Sequence, residues 1–170
     1  MVAAGYRRVA PKKAGVEEAA GVRIEEVRAA VVRPLRQKVL RPHQTLADQV
    51  YPGDSPPGAR HFAAYGKDDA VLGVASISPE PYPRAGGSPG PGDRRIRGMA
   101  TEPAARRRGI GALLLAACLE VARADEGATR VWCNARSGVR GFYEREGFVA
   151  DGEEFTLPEI GPHFLMWLAV

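Results

Sequence analysis

The segment from Gly109 to Asp125 constrains the fold most, because its apolar side chains have the spacing of one helix face. The residues on that face are Ile110, Leu113, Leu114, Ala117, Cys118 and Val121. They recur every three or four positions, as in an amphipathic helix. Gly127 follows as a helix-stop signal. The sequence therefore predicts a long helix with one apolar face over residues 109–125.

Strand-like segments lie on both sides of this helix. Alternating or β-branched runs predict strands over residues 22–27, 61–65, 71–77, 95–101, 129–135, 148–155 and 163–169. Helices are also predicted over 34–40, with Pro34 in the first turn, over 45–50, and over 137–146 with Ser137 as the N-cap. Residues 66–69 are predicted to form a hairpin turn. This order predicts a mixed α/β fold, neither a repeat nor a doubly wound parallel sheet.

Length and composition predict one domain over residues 16–170, preceded by a basic, flexible arm at residues 1–15. The chain has 170 residues, of which 24 are basic and 20 acidic, and this length is typical of a single domain. Arg7, Arg8, Lys12 and Lys13 account for the positive excess, so the remainder is formally neutral. Residues 79–92, rich in glycine and proline, are predicted to form a long surface loop.

Cysteine placement and hydropathy predict a cytoplasmic protein. Cys118 and Cys133 lie in apolar segments, which predicts buried free thiols in a reducing compartment. The apolar run 112–119 is much shorter than the roughly 20 residues that cross a bilayer, so no membrane partner is expected. The histidines are scattered and the two cysteines are far apart, a pattern without metal-ligand spacing, so no metal is expected.

The start of the long helix has the composition of an anion site. Residues 106–108 are all arginines, and Gly109 and Gly111 follow them. A helix N-terminus offers free amides and partial positive charge, and glycines let a phosphate approach the backbone. The site fits a diphosphate, although the G-x-G-x-x-G spacing fails at Leu114. The structural alternative is a helix start with solvated arginines.

Two short motifs carry a resemblance to a known family. The first extends from Met99 to Gly111 and contains Arg106-x-x-Gly109-x-Gly111; the second, residues 141–148, has the pattern Tyr-Glu-x-x-Gly-Phe. Both resemble motifs of the GNAT superfamily, the acetyl-coenzyme A-dependent N-acetyltransferases, in the order and at about the spacing of that family. The resemblance implies a single-domain α/β fold with a mixed, mostly antiparallel sheet of six to seven strands. About four helices flank the sheet, which is split in a V between the strands at 95–101 and 129–135.

The same resemblance implies acetyl-coenzyme A as co-substrate, with its pantetheine arm in the V beside the first of these strands. The implied cofactor-binding residues are Met99, Thr101, Arg106, Arg107, Arg108, Gly109, Ile110, Gly111 and Ala112. Many relatives place an asparagine seven residues before the motif tyrosine, where this chain has Arg136. Asn134 is therefore a candidate contact, and Arg136 is a candidate ligand for a phosphate or an acidic acceptor.

Tyr143 matches the tyrosine that the family commonly uses near the sulfur. A thiolate leaves when an amine attacks a thioester, and a phenol with a pKa of about 10 can protonate it. The alternative role is core packing beside Phe142 and Phe148. Direct transfer is predicted, because no cysteine or Ser–His–Asp arrangement argues for an acyl-enzyme. The general base is left open among Glu25, Glu26, Glu102, Glu153, Glu154, Glu159 and His163.

The predicted function is N-acetyl transfer to a primary amine of a small molecule or peptide. The alternatives are a non-catalytic acyl-coenzyme A sensor and a nucleic-acid-binding protein, which the neutral domain disfavours; no nucleic-acid partner is expected, and a homodimer is left open. Two further inferences concern charge. The resemblance implies that the basic turn with Arg36, Lys38 and Arg41 forms part of the acceptor wall, and its positive charge allows an acidic acceptor. Six arginines are predicted to surround the coenzyme phosphates: Arg94, Arg95, Arg97, Arg106, Arg107 and Arg108.

Overall fold

A computed structural model describes residues 21–83 and 91–170. The predicted arm at 1–15 and positions 84–90 of the predicted loop lie outside these residues. The strands are β1 Arg23–Val27, β2 Arg60–Tyr65, β3 Val71–Pro79, β4 Asp93–Thr101, β5 Arg130–Arg136, β6 Val149–Ala150, β7 Phe155–Leu157 and β8 Gly161–Ala169. The α-helices are α1 Ala29–Leu40, α2 Ile110–Arg123 and α3 Arg140–Arg145. This confirms the predicted mixed α/β fold, with eight strands and three helices in the described part.

The strands form one sheet in the order β1-β2-β3-β4-β5-β8-β6, with β7 paired to β8. Neighbouring strands are antiparallel except β4 and β5, which run parallel. These two pair only where Asp93–Arg95 meets Arg130–Trp132. Beyond these residues each strand continues for several positions without the other, so the sheet opens into the predicted V.

Helices cover the two faces of the sheet. On one face, α2 buries Ile110, Leu114 and Cys118 in the main core, which also contains Phe148 from the loop before β6. On the other face, α1 buries Val32 and Leu35 against β2 and β3. Because α2 covers one side of the V and α1 the other, both helices contribute to the walls of the opening.

A β-bulge in β4 redirects its side chains where the V opens. Arg97 pairs with Ser76 and Ala100 with Val74, so two residues of β4, Gly98 and Met99, oppose one residue of β3. Gly98 has a φ of 58°, a left-handed conformation that favours glycine. As a result Arg97 lies on the α1 side of the sheet, where it contacts Glu80, whereas Met99 packs against the α2 core.

The predicted first-turn position of Pro34 is wrong. Helix α1 begins at Ala29, so Pro34 lies inside it. Its missing amide deprives only the Ala30 carbonyl of a helical donor, and Ala30 is exposed to water. Burial of Val32 explains why the helix nonetheless begins before the proline.

Three further predictions also differ from the structure. Ser137 is not an N-cap: its hydroxyl donates to Glu154 at 2.6 Å, and a 3-10 turn over Ser137–Val139 precedes α3. The predicted strand 148–155 is two short strands, β6 and β7, which pair with different parts of β8. A 3-10 turn, Ala47–Gln49, replaces the predicted helix at 45–50.

Candidate active site

The opening between β4 and β5 is a cleft with a volume of about 840 Å³. It connects the two faces of the sheet. One end is formed by the start of α2 and by α3. The other end is formed by the last residues of α1 and by Leu157, Ile160 and His163 near β8. A cleft of this size can hold an extended ligand whose two ends meet different chemistry.

The α2 end of the cleft has the geometry of an anion site. Gly109 has a φ of 75° and Arg107 a φ of 62°, so the chain turns sharply into the helix. The amide of Leu113 donates to the Gly109 carbonyl at 3.1 Å, whereas the three preceding amides have no carbonyl one turn earlier. Of the predicted coenzyme residues, those that line the cleft are Met99, Thr101, Arg106, Arg107, Gly109, Ile110, Gly111, Ala112 and Asn134. Arg108 is exposed and does not line it.

Tyr143 lies where the two strands diverge. Its hydroxyl donates to the Met99 sulfur at 3.5 Å, a weak hydrogen bond. Its ring packs edge-on against Phe142 and Phe148, with centroids 5.0 and 5.4 Å apart. Burial, reinforced by the neighbouring thiols of Cys133 and Cys118, raises the pKa of Tyr143 well above 10. Tyr143 therefore belongs to the core and lines the cleft as a protonated phenol.

The two cysteines are buried free thiols, as predicted. Burial raises the pKa of Cys118 and of Cys133 to about 12. Cys133 nonetheless lines the cleft, and Asn134, the next residue of β5, is half-buried there. Neither thiol is a nucleophile at neutral pH, because the thiolate is the reactive form.

The predicted acceptor role of Arg36 is wrong. Its side chain is fully buried, and its Nη1 lies 2.8 Å from a carboxylate oxygen of Asp54. Nη2 donates to the Ser76 hydroxyl at 2.7 Å. A Cβ on Gly98 would lie 2.3 Å from Nε of Arg36, so the guanidinium packs directly on the β4 bulge. Arg36 is a core residue that joins α1 to the sheet.

Lys38 and Arg41, the other two residues of the predicted acceptor wall, lie in different places. Lys38 is ion-paired with Glu102 at 2.8 Å on the surface. Arg41 lines the cleft, 5.6 Å from the ring centre of Tyr51. Across the cleft, Nη2 of Arg136 donates to the Leu40 carbonyl at 2.6 Å, which links the end of β5 to the end of α1. Arg41 and Arg136 therefore line the same end of the cleft.

The predicted cluster of six arginines around the phosphates is also wrong in part. Arg94 pairs with Asp125 outside the cleft. Arg95 and Arg97 donate to Glu80, with shortest distances of 2.6 Å, on the α1 side. Burial alone would raise the pKa of Glu80, but the hydrogen bonds from Arg97 and Arg95 outweigh it and lower that pKa. Of the six, only Arg106 and Arg107 line the α2 end of the cleft, and the exposed Arg108 lies beside them in the chain.

The structure also shows which candidate general bases line the cleft and which are bonded or exposed elsewhere. Carboxylates are bound by neighbouring side chains in four cases: Glu25 by Arg23, Glu26 by Arg60, Glu102 by Lys38, and Glu154 by Ser137. Glu153 and Glu159 are exposed and do not line the cleft. His163 does line it, and its Nδ1 lies 2.8 Å from the Gly161 carbonyl. A proton on Nδ1 makes this hydrogen bond and leaves Nε2 as an acceptor.

Sequence reasoning missed the residues that support the cleft from the α1 side. Tyr82, inside the predicted loop, is buried against Trp132, and its amide donates to Asp93 at 2.9 Å. Asp54 and Gly98 were missed as well. An aromatic residue within the proline-rich segment was the one available signal for Tyr82, whereas nothing in the local pattern indicates the partner of Arg36.

Two further features concern the described residues as a whole. No helix among them is long and apolar enough to cross a membrane. Over residues 21–83 and 91–170, no three histidine, cysteine, aspartate or glutamate side chains form a group that could hold a metal ion.

Comparisons with known proteins identify the family. Residues 25–148 match the model of the acetyltransferase (GNAT) family. The uncharacterized N-acetyltransferase YitI of Bacillus subtilis (strain 168) is 35% identical over 133 residues, which cover 78% of this chain and 86% of that protein. The chain therefore belongs to the GNAT acetyltransferase family, as its two motifs predicted, and is an acyltransferase.

Solved structures share the fold. Escherichia coli ElaA has a TM-score of 0.67 at 17% identity, over 86% of this chain and 98% of its own. An acyl-CoA N-acyltransferase from Pseudomonas aeruginosa has a TM-score of 0.66 at 23% identity, with the same coverage. At these identities the likeness supports the split sheet and does not specify a substrate.

Proposed function

We propose that the protein transfers an acetyl group from acetyl-coenzyme A directly to a primary amine. The observation that carries this proposal is the position of Tyr143, a protonated phenol at the point where β4 and β5 diverge. It lies between an anion site at the start of α2 and an open end of the cleft beside α1.

The coenzyme fits the α2 end. The free amides at the start of α2, with the side chains of Arg106 and Arg107, suit a diphosphate. Beyond Arg95, the edge of β4 that faces β5 has no ladder partner among the described residues. The amides of the pantetheine arm can pair with such an edge as a strand does. Met99 and Thr101 would then contact the arm, and Asn134 faces it from β5.

Direct transfer requires two proton movements in the cleft. The amine nitrogen forms a bond to the thioester carbon, the carbon–sulfur bond breaks, and the proton that the amine loses passes to solvent, from which the Tyr143 phenolate later regains a proton. Tyr143 donates its proton to the departing sulfur, because a phenol of raised pKa is protonated at neutral pH. A thiolate in a partly apolar cleft is costly, so protonating it favours the forward reaction.

Buried thiols also suit the proposed location in the reducing cytoplasm.

A two-stage experiment tests this function. Acetyl-coenzyme A is first titrated while the melting temperature is measured, because a ligand that binds only the folded state stabilises it by about 2.7 kcal/mol at 100 times its Kd. Release of free thiol is then followed over a panel of amines, peptides and aminoglycosides. Absence of any stabilisation would contradict the proposal. Stabilisation without thiol release for every acceptor would indicate an acyl-coenzyme A-binding sensor.

A further inference from the structure

The charges that line the cleft are strongly unequal. Seven arginines line it among the described residues: Arg41, Arg95, Arg97, Arg106, Arg107, Arg136 and Arg145. Glu146 is the one acidic residue of the described lining. A cleft with low-dielectric walls and charges of one sign concentrates ligands of the opposite sign.

The coenzyme phosphates account for only part of this charge. Arg106 and Arg107 precede α2, and Arg145 ends α3, so these three belong to the face of the sheet where the diphosphate is proposed to bind. The other four belong to the opposite face. Arg95 lies 4.4 Å from the ring centre of Trp132 on the α1 side, and Arg136 is bonded to the last residue of α1.

Two of these four arginines have no carboxylate to neutralise them. Glu80 accepts hydrogen bonds from both Arg95 and Arg97, so one negative charge faces two positive ones. Within the described part of the chain, Arg136 donates to a neutral carbonyl and Arg41 lies near the Tyr51 ring, and neither forms an ion pair. The α1 end of the cleft therefore keeps a net positive charge within its walls.

We propose that this end binds a carboxylate of the acceptor, so that the substrate is an amine that also carries a carboxylate group. Arg136 and Arg41 are the proposed ligands, because an arginine fork matches the two oxygens of a carboxylate. Leu40, Leu157 and Ile160 line the same end and suit an apolar part of the substrate. This inference rests on the proposed acetyl transfer and specifies its acceptor class.

Matched pairs of acceptors test the inference. Each pair is a dipeptide with a free carboxyl terminus and the same dipeptide with an amidated one, so that the attacking amine has nearly the same pKa in both members. The kcat/KM of thiol release is expected to be roughly 10- to 100-fold higher for the free carboxylate, as for other hydrogen bonds to a charged group. Equal values within every pair, or no thiol release from any pair, would overturn the inference.

Three variants test which arginines cause the preference for a free carboxylate. Arg136→Gln and Arg41→Gln are each expected to reduce it, and Arg136→Lys is expected to retain part of it. Arg60→Gln is the matched control, because Arg60 of β2 pairs with Glu26 of β1 outside the cleft. A preference unchanged in both glutamine variants would contradict the assignment. Isothermal titration of the wild type with acetyl-coenzyme A separates the two proposals. If the wild type binds the coenzyme but shows no preference for a free carboxylate, only the proposed acceptor class is rejected. If the wild type does not bind the coenzyme, acetyl transfer itself is rejected.

Discussion

At the scale of single residues, Tyr143 combines tight packing with a weakly bonded hydroxyl. Its ring is held by Phe142 and Phe148, whereas its hydroxyl has only sulfur partners, the Met99 thioether at 3.5 Å and the Cys133 thiol. Replacing Tyr143 with phenylalanine keeps the ring and removes the proton donor. We expect kcat for acetyl transfer to fall by roughly 10²-fold or more. The Kd of acetyl-coenzyme A should stay near the wild-type value. An unchanged kcat in stopped-flow thiol release would remove Tyr143 from the mechanism.

The raised pKa of Tyr143 also predicts the pH dependence of turnover. The protonated phenol is the active acid, and burial keeps it protonated beyond pH 10. Loss of the acid therefore begins above that pH. Up to pH 10, the pH profile of kcat is therefore expected to have the same shape for the wild type and for Tyr143→Phe. A descending limb centred near pH 8 or 9, absent in the phenylalanine variant, would contradict this assignment.

The two cysteines predict a clean background for thiol assays. A thiol with a pKa of about 12 is thiolate in only about one part in 10⁵ at pH 7. We expect no rapid reaction of the native protein with Ellman's reagent and reaction of two thiols after unfolding in urea. Rapid labelling of one thiol in the native state would show that the cleft wall at Cys133 opens on the assay timescale.

At the scale of elements, the start of α2 depends on two glycines in different ways. Gly109 has a φ of 75°, so Gly109→Ala places a side chain in a conformation that costs about 1–2 kcal/mol. A Cβ on Gly111 would lie 3.6 Å from Met99 and Phe142, an ordinary contact, and alanine is the better helix former. Titration calorimetry is expected to show a weaker acetyl-coenzyme A affinity, about 5- to 30-fold, for Gly109→Ala. Gly111→Ala should bind almost normally; equal losses would contradict the conformational argument.

The ion pair between Arg36 and Asp54 joins α1, the 3-10 turn Pro52–Asp54 and the β4 bulge. Both side chains are buried, with 0% and 2% exposure. Removing one partner leaves a buried charge uncompensated, which typically costs about 3–5 kcal/mol. Asp54→Ala should reduce the free energy of urea unfolding by that amount. Glu26→Ala, which breaks a surface pair with Arg60, should cost less than about 1 kcal/mol. Similar losses in the two variants would show that the buried pair contributes little.

The sequence predicted elements well where the local pattern is strong. The periodicity of α2 and the nearly continuous apolar runs of β2 and β3 indicate their ends to within a few residues, because the buried side chains themselves define the pattern. It failed for β6 and β7, whose boundaries depend on pairing with β8 rather than on local propensity. The candidate site divides in the same way. The α2 end follows from a contiguous motif, whereas the α1 end depends on contacts such as Arg136 with Leu40, 96 positions apart.

At the scale of the whole molecule, the fold changes which site each arginine is assigned to. In the sequence, Arg95 and Arg97 adjoin the coenzyme motif, and all six arginines are predicted to serve one polyanion. In the structure Arg95 and Arg97 of β4 lie on the α1 side of the sheet, and Arg94 pairs with Asp125 outside the cleft. The chain then crosses to the α2 side, where Arg106 and Arg107 line the cleft. The two ends of the cleft are therefore positive for different reasons, and a single net charge cannot distinguish them.

The net charge of +4 yields one further prediction, on nucleic acid. The four basic residues among the first sixteen equal this excess, and the remainder is formally neutral. Affinity for duplex DNA is therefore expected to depend on residues 1–15. Four phosphate contacts give a slope of log K against log salt no steeper than about −3.6. Any non-specific retention of the full chain on DNA at low salt should be lost when residues 1–15 are deleted, and the acetyl-coenzyme A titration should be unchanged. A steep salt dependence that survives the deletion would instead place a nucleic-acid surface on the domain, and the positive cleft would then need to be reinterpreted.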